Sequence, residues 1–167
     1  MDISIKNTTA MEKLKTKLLS TVIVFLITMA GIFAQNLENK QDIYYKEGKV
    51  FTGKHSTYFA SGQLESERNF VMGVEDGLSV WYFEDGQLRE QRAWRNGKKH
   101  GTWTKYNPAR IKTAEANYQN DQKHGKWFIW DDKGILRYEM TYNNGQKSGT
   151  WYMWDENGKL TAEKVFE

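Results

Sequence analysis

Residues 125–148, GKWFIWDDKGILRYEMTYNNGQKS, contain two strand-like segments, each followed by a turn-like segment. The first apolar run, Trp127 to Trp130, ends at the turn residues DDKG, and the second, Ile135 to Tyr142, ends at NNG. Apolar runs rich in aromatic residues and bounded by Asp, Asn and Gly are typical of β-hairpins. Glycine favours such turns because it adopts positive φ angles without steric cost. The stretch therefore predicts one β-hairpin and the turn that leads to the next.

This unit recurs every 24 residues, with no insertion between copies. Each copy opens with a glycine: Gly53, Gly77, Gly101, Gly125 and Gly149. The sixth position is always aromatic (Tyr58, Tyr82, Tyr106, Trp130 and Trp154), and so is the eighteenth (Phe70, Trp94, Tyr118, Tyr142 and Phe166). A fixed period indicates that one supersecondary unit is stacked on itself. The sequence therefore predicts an all-β fold, an elongated twisted antiparallel β-meander of five hairpin repeats within residues 44–167.

The running pattern NG-x-x-x-G-x-W-x-x-Y/W-x-x-x-G-x-L resembles the bacterial variant of the MORN repeat, which is often found in proteins labelled antitoxin-like. The pattern is carried by Asn96-Gly97, Gly101 and Trp103; by Gly125, Trp127, Trp130, Gly134 and Leu136; and by Asn144-Gly145, Gly149, Trp151, Trp154, Gly158 and Leu160. The resemblance covers residues 44–167. It implies a twisted antiparallel β-meander used for binding and scaffolding, with no catalytic residues.

Residues 1–34 have the layout of a secretory signal peptide, with Met1 or Met11 as the start. Lysines precede an apolar run of 16 residues, Leu18 to Phe33, and Ala34 offers a small residue for cleavage. An uncleaved membrane anchor is the alternative, although an anchor needs about 20 apolar residues. We predict an exported protein that is periplasmic, associated with the outer envelope or secreted. Residues 35–43 are expected to form a polar linker to the repeats.

Residues 35–167 contain 20 Lys or Arg and 19 Asp or Glu residues, so the net charge of this part is +1. A nucleic-acid-binding protein is expected to concentrate positive charge on one surface. The linear sequence shows no such cluster, and we predict no nucleic-acid partner. The chain has no cysteine, so an exported form must be stabilised by packing and not by disulfides.

Alternate residues of a strand face opposite sides of the sheet, which sorts the positions of the repeat into faces. By simple alternation, the leucine at position twelve and the aromatic residue at position eighteen share one face, and the Glu or Gln at position fifteen lies on the other. Position three is tryptophan in repeats three to five: Trp103, Trp127 and Trp151. Such ladders form either a hydrophobic spine or an exposed aromatic groove for a peptide or a glycan.

The recurring glutamates and histidines do not predict an active site or a metal site. Equivalent residues in successive two-stranded repeats, such as Glu115 and Glu139 or His100 and His124, are about 10 Å apart. The carboxyl pair of a retaining glycosidase is separated by about 5 Å, and the ligands of one zinc ion lie within about 2 Å of it. We predict a protein that is not an enzyme and uses no metal and no cofactor. The glutamates are expected to pair with neighbouring Lys or Arg residues.

Repeat three departs from the common pattern. The segment Asn107-Pro108-Ala109-Arg110 replaces the turn that contains glycine, Lys112 replaces the leucine, and Asn120-Asp121 replaces Asn-Gly. The fold is expected to continue through this repeat, because its length is kept and the new residues tolerate turn geometry. The changes reflect either drift at an exposed turn or a partner contact made by Arg110 and Lys112.

We predict that the repeats act as a binding or scaffold module of the cell envelope or secreted fraction, with a protein as the partner. The candidate contact residues are Trp103, Trp127, Trp151, Arg110 and Lys112. Two alternatives stay open: a carbohydrate-binding module that stacks sugar rings on the tryptophan ladder, and an antitoxin-like or immunity protein that binds a toxin. A membrane contact is expected only through an uncleaved leader.

Overall fold

A computed structural model describes residues 36–167, and every regular element in this range is a β-strand. The strands are β1 (Glu38–Lys40), β2 (Ile43–Lys46), β3 (Lys49–Val50), β4 (Gly53–Tyr58), β5 (Leu64–Val71), β6 (Val74–Glu75), β7 (Gly77–Tyr82), β8 (Leu88–Arg95), β9 (Lys98–Tyr106), β10 (Lys112–Gln119), β11 (Gln122–Trp130), β12 (Leu136–Asn143), β13 (Gln146–Trp154) and β14 (Leu160–Phe166). Residues 36–167 include no helix that is long and apolar enough to cross a membrane. The predicted signal peptide and its cleavage site lie outside the described residues.

Eleven of the strands form one antiparallel sheet. From β7 to β14 each strand pairs with the next strand of the chain, β4 pairs with β5, and β5 pairs with both β7 and the short β6. Each repeat therefore contributes two neighbouring strands joined by a hairpin turn. The predicted all-β meander of hairpin repeats is confirmed. Strands β1, β2 and β3 form a separate three-stranded sheet.

The hairpin turn within a repeat is held by two backbone hydrogen bonds. In repeat four, the Asp131 N–H donates to the Ile135 carbonyl at 3.0 Å, and the Gly134 N–H donates to the Asp131 carbonyl at 3.0 Å. The Asp131 carboxylate also accepts from the N–H groups of Lys133 and Ile135, at 3.0 Å each. Gly134 has a φ of +84°, and this left-handed conformation explains why glycine recurs at position ten.

Repeat three builds the same turns from different residues. The Asn107 N–H donates to the Ile111 carbonyl at 2.9 Å, and Arg110 takes the place of the glycine with a φ of +65°. Between β10 and β11, Asn120 and Asp121 adopt φ angles of +50° and +70° in place of Asn-Gly. The prediction that the fold continues through repeat three is confirmed.

The small sheet packs against the first repeat at β5. The Tyr44 N–H donates to the Gly73 carbonyl at 2.8 Å, and the Gly73 N–H donates to the Phe51 carbonyl at 2.7 Å. The rings of Tyr44 and Phe51 lie 4.8 and 5.7 Å from the ring of Phe70, which is only 2% exposed. The N-terminal sheet therefore buries the end of the repeat stack.

Strand β1 lies inside the segment that was predicted to be a polar linker. It pairs with β2 across a turn in which the Asp42 N–H donates to the Asn39 side-chain oxygen at 3.0 Å. Its three residues are all exposed, so the strand has no apolar alternation by which the sequence could reveal it. The fold of the described residues thus begins earlier than the predicted boundary at Tyr44.

The eleven-stranded sheet has two chemically different faces. One face, called the ladder face below, carries positions three, five, fourteen, sixteen and eighteen of each repeat, together with the residue two before the opening glycine. The other, called the glutamate face, carries positions two, four, six, twelve and fifteen. In repeat four, Trp127 and Tyr142 lie on the ladder face, whereas Phe128, Trp130 and Glu139 lie on the glutamate face.

The prediction that positions twelve and eighteen share a face is wrong. In repeat four, Ile129 pairs with Tyr138 but Trp130 pairs with Leu136, so that Arg137 is an extra residue in a β-bulge. The same register shift occurs in every repeat. One extra residue reverses the alternation of side chains beyond it. The leucine at position twelve therefore lies on the glutamate face, with position fifteen.

The most deeply buried side chains of the described residues lie on the ladder face. They are Phe70, Tyr142, His55, Ser66, Ser79 and Glu90. The glutamate face contributes none of these six. The core of the sheet therefore runs across the strands on one face, where large side chains of successive strands cover one another.

Candidate binding surface

Seven aromatic rings form a continuous ladder across repeats two to five. Positions eighteen and three contribute them in alternation: Trp94, Trp103, Tyr118, Trp127, Tyr142, Trp151 and Phe166. Neighbouring ring centroids are 4.7–5.3 Å apart, and the ring planes are inclined to one another by 53–66°. Tilted contacts at this distance are favourable because the positive edge of one ring meets the negative face of the next.

The same hydrogen bond holds each tryptophan at position three. The indole Nε1–H groups of Trp103, Trp127 and Trp151 donate to backbone carbonyls at 2.9, 2.8 and 2.9 Å. The acceptors lie ten residues earlier, on the preceding strand: Ala93, Asn117 and Thr141. Each indole is therefore fixed across the neighbouring strand by both packing and a directional bond.

A lysine side chain lies over the rings in each of repeats three to five. Lys99, Lys123 and Lys147, called the lysine row below, are located two residues before the opening glycines. Each Nζ atom is 4.4–5.2 Å from the centroids of two successive rings of the ladder. These distances are within the range of cation–π attraction, which contributes about 0.5–1 kcal/mol at exposed sites. The rings thus position the ammonium groups.

The positive charge of this surface is not balanced on its own face. From Lys99 to Phe166, the ladder-face positions carry no Asp or Glu but carry five lysines: Lys99, Lys105, Lys123, Lys147 and Lys164. Among residues 36–167, only Lys105 of these five has a carboxylate within 4.0 Å, at 3.9 Å from Glu90. Repeats three to five therefore present a surface of aromatic rings and uncompensated ammonium groups.

Repeat two differs in charge at the same positions. Glu75 occupies the place of the row lysine and accepts hydrogen bonds from Arg68 at 2.9 Å and from Ser79 at 3.1 Å. The Glu90 carboxylate accepts two hydrogen bonds from the Arg92 guanidinium, at 2.8 and 3.0 Å. These pairs neutralise the cations of the ladder face there, so the uncompensated surface begins at repeat three.

A groove opens on the ladder face beside the first residue of the lysine row. Its volume is about 480 Å³, and Ala114 and Ala116 form its floor. Repeat four carries Tyr138 and Met140 at the corresponding positions, so the groove results from two small side chains in repeat three. The other residues that line the groove are Glu90, Arg92, Trp94, Lys99, Trp103, Lys105, Tyr118, Trp127 and Ile129.

The predicted contact residues are divided between the two faces. Trp103, Trp127 and Trp151 lie together on the ladder face. Lys112 lies on the glutamate face, where its Nζ atom is 2.7 Å from Glu115 and 5.3 Å from the centroid of the Trp130 ring.

The exposed Arg110 side chain is also on the glutamate side of the sheet. It lines a hollow of about 390 Å³ together with Leu88 and Tyr106. Arg110 and Lys112 therefore do not form one contact surface with the tryptophans.

Three of the four glutamates at position fifteen pair with lysines of their own face, as the sequence predicted, whereas Glu163 has no ion-pair partner among residues 36–167. The pairs are Lys54–Glu67 at 3.2 Å, Lys112–Glu115 at 2.7 Å and Lys126–Glu139 at 2.5 Å. The hydrogen bond to Glu139 raises the pKa of Lys126 above its ordinary value. These three lysines of the glutamate face are thus paired with carboxylates, in contrast to the lysine row.

The histidines make structural contacts. His100 Nδ1 lies 3.3 Å from the Asn120 side-chain oxygen, and His124 Nδ1 accepts a hydrogen bond from the Asn144 N–H at 3.5 Å. His55 is 8% exposed on the ladder face. Burial, followed by the charges of Arg68 and Lys46, lowers the pKa of His55.

The lysine row was not among the residues predicted from the sequence. Its signal was present, because lysine recurs two residues before the opening glycine in three successive repeats. The net charge of +1 and the wide spacing of the lysines concealed it. Only the stacking of the repeats brings these residues onto one face.

Comparison with known families matches the chain to the MORN repeat variant at four places, residues 51–72, 75–96, 123–144 and 147–167. These matches cover more than half of the chain. The interval between the second and third match contains most of repeat three, whose turns depart from the common pattern.

Comparison with curated proteins gives no significant match. Among solved structures, ten chains match, and one of them belongs to the crystal structure of the GtfA/B complex bound to UDP and GlcNAc. That similarity has 10% sequence identity and a TM-score of 0.28, and it covers 79% of this chain and 23% of the other. This chain thus spans about a quarter of the length of that protein, and the low TM-score supports no argument about function.

Proposed function

This chain belongs to the MORN repeat variant family, and we propose that it is an exported, non-enzymatic module that binds a protein partner through its ladder face. The observation that carries this proposal is the lysine row, in which three ammonium groups lie over an ordered ladder of rings. The rings and the row lysines of this surface recur with the repeat, whereas an active site is normally a single asymmetric constellation. The surface is therefore suited to recognition.

The composition of the ladder face favours a macromolecular partner with negative charge. Aromatic residues are enriched among the side chains that dominate binding energy at protein interfaces. Unpaired positive charge accelerates the encounter with a partner of opposite charge. Because the rings are fixed by hydrogen bonds and by one another, little side-chain freedom is lost on binding, which favours affinity.

The second candidate function, stacking of sugar rings on Trp103, Trp127 and Trp151, receives less support from the geometry. A sugar ring needs an open aromatic face, but the row lysines lie over these faces and the neighbouring rings are inclined against them. What the ladder presents is a row of ammonium groups with ring edges between them. An antitoxin-like or immunity role is one form of the proposed protein binding, with a toxin as the partner.

Arg110 supports a second contact on the glutamate face. A non-glycine residue in the left-handed region costs about 1–2 kcal/mol, and repeats one, two, four and five use glycine at this position. A strained residue motivates a hypothesis of function. We therefore include Arg110 and Lys112 in the test as an independent surface.

The experiment is a crosslinking pull-down from an envelope extract with the purified full chain, analysed by mass spectrometry. Two variants are compared with the parent: Lys99→Glu/Lys123→Glu/Lys147→Glu on the ladder face and Arg110→Glu/Lys112→Glu on the glutamate face. We expect one dominant protein that is lost with the first variant and kept with the second. Retention by the ladder-face variant, or no specific capture by the parent, would contradict the proposal.

A further inference from the structure

We propose that the ladder face binds an acidic segment in the polyproline II conformation, with a carboxylate at every third residue. This inference rests on the proposed function, because it specifies the chemistry of the partner for the same surface. It is carried by the spacing of the lysine row, by the charge of the face and by the groove of repeat three.

The spacing of the row follows from the sheet. Lys99, Lys123 and Lys147 lie on β9, β11 and β13, which are two strands apart in the sheet order. With about 4.8 Å between neighbouring strands, the row advances by about 9.6 Å per repeat. A linear ligand that crosses the strands must therefore present its charges with this period.

A polyproline II helix has this period on one side. It contains three residues per turn and rises about 3.1 Å per residue, so residues i and i+3 lie on the same side about 9.3 Å apart. Across the two intervals of the row, the accumulated mismatch is only about 0.6 Å.

Other peptide conformations match less well. In a β-strand, residues on the same side are separated by about 6.7 or 13 Å. In an α-helix the corresponding repeat is seven residues, or about 10.5 Å, which accumulates a mismatch of about 2 Å over the row.

The charges of the surface complement such a segment. The ladder face of repeats three to five contains no carboxylate. Glu90 of repeat two also lines the groove, but its charge is paired with Arg92 at 2.8 Å. The lysines are already positioned over the rings. On the glutamate face, by contrast, Lys54, Lys112 and Lys126 are paired with glutamates of the sheet itself.

The groove provides room for the residues between the carboxylates. Ala114 and Ala116 leave about 480 Å³ beside Lys99, between Trp103 and Trp127. Proline-rich segments dock in grooves lined by aromatic residues, because their conformation is already formed before binding. The apolar residues of the segment would therefore contact the alanine floor and the indole edges while its carboxylates meet the lysine row.

The test measures binding of fluorescein-labelled peptides to the full chain by fluorescence anisotropy. One peptide is (Glu-Pro-Pro)5, in which every glutamate is followed by another at i+3. The control has the same composition, but its successive glutamates alternate between i+2 and i+4 spacing. We expect the first peptide to bind at least tenfold more tightly and its affinity to fall as salt is raised, because ion pairing at an exposed surface is screened. Equal affinities, or no binding of either peptide, would overturn the inference.

Variants locate the site. Lys99→Gln/Lys123→Gln/Lys147→Gln is expected to weaken binding at least tenfold, and the matched variant Lys54→Gln/Lys126→Gln/Lys133→Gln, with the same net charge, is expected to leave it unchanged. Because the first variant also removes cation–π contacts, circular dichroism is used to confirm its fold. Ala116→Met introduces the residue of repeat four, fills the groove without changing charge, and is expected to weaken binding severalfold. If both ladder-face variants bind as the parent does, the site assignment is refuted.

Two further ligands test whether a different class of molecule occupies the ladder face. A helical peptide with glutamate at every seventh residue, or an acidic oligosaccharide, that bound more tightly than (Glu-Pro-Pro)5 would replace the proposed segment. If the peptides are not discriminated but the pull-down partner is still lost with the ladder-face variant, the proposed function stands and only this inference fails.

Discussion

The same substitution is expected to change the free energy of unfolding differently at two tryptophans of the ladder. The indole Nε1–H of Trp94 is buried and has no hydrogen-bond partner within residues 36–167. The indole Nε1–H of Trp127 donates to the Asn117 carbonyl at 2.8 Å. Trp94 occupies position eighteen, where the other repeats carry Tyr or Phe. We compare Trp94→Phe with Trp127→Phe.

The expected magnitudes follow from three contributions. Replacing indole by phenyl removes about 40 Å² of apolar surface from the core, which costs about 1 kcal/mol in either variant. Removing an unsatisfied buried donor recovers about 1–3 kcal/mol at position 94, whereas removing a bonded donor loses about 1 kcal/mol at position 127. Trp94→Phe should therefore be neutral or stabilising by up to about 2 kcal/mol, and Trp127→Phe destabilising by about 2 kcal/mol.

The assay is equilibrium unfolding of the full chain in urea, followed by far-ultraviolet circular dichroism so that loss of a fluorophore does not affect the signal. The quantity compared is the difference between the two variants, in which the shared loss of apolar area cancels. We expect about 2–4 kcal/mol. Equal destabilisation by the two substitutions would refute the assignment of the indole hydrogen bonds.

Three further predictions concern the backbone and one buried histidine. Gly73→Ala places a Cβ atom 2.6 Å from Ile43 Cγ2 and 3.1 Å from the Tyr44 carbonyl oxygen at a φ of +79°, so we expect a loss of at least about 2 kcal/mol. Gly145→Ala, at a φ of +86° with no atom within 4 Å of the new Cβ, should cost only about 1 kcal/mol in the same urea titration; equal losses would exclude the tight contact with the small sheet. Arg110→Gly removes the strain of a φ of +65° and should raise the free energy of unfolding by about 1 kcal/mol, whereas a decrease would show that the Arg110 side chain stabilises the fold. Burial lowers the pKa of His55 below its ordinary value, so the unfolded chain takes up a proton at a higher pH than the folded chain does. Protonation of His55 therefore does not lower the free energy of unfolding above a pH of about 6.5, and it lowers this free energy increasingly as the pH falls below that value. Thermal unfolding between pH 7.5 and 5.5 should therefore show a smaller pH dependence for His55→Gln than for His124→Gln, and identical pH dependence in the two variants would contradict the role of His55.

Several features of the fold could be predicted from the sequence because they depend on neighbouring residues. The turn from Asp131 to Ile135 is formed by hydrogen bonds within five residues, and it needs a residue with a positive φ angle at Gly134. Aromatic residues at fixed positions mark the strands, and the fixed period indicates their stacking. The same local rules also predicted that the turns of repeat three would be kept with Pro108 and Asn120-Asp121 in place of the usual residues.

The arrangement of the two faces could not be predicted from alternation. A single extra residue, Arg137 in repeat four, reverses the side-chain alternation and transfers Leu136 to the glutamate face. A bulge has no distinctive residue type here, so the pattern of apolar residues is the same with or without it. Strand β1 was missed for a related reason, because its exposed polar residues carry no alternation.

By itself, the sequence determined the repeat, its hairpins and the position of every ladder ring along the chain, because these depend on contacts within one repeat or between identical neighbours. Only the tertiary structure decided that Lys99, Lys123 and Lys147 form one positive row, that acidic residues are absent from their face over three repeats, and that Arg110 and Lys112 lie on the other side. The physical reason is that the face of a residue depends on strand register. Register is set by hydrogen bonds between strands and by one bulged residue per repeat. Neither can be read from the composition of the chain or from the spacing of its residues.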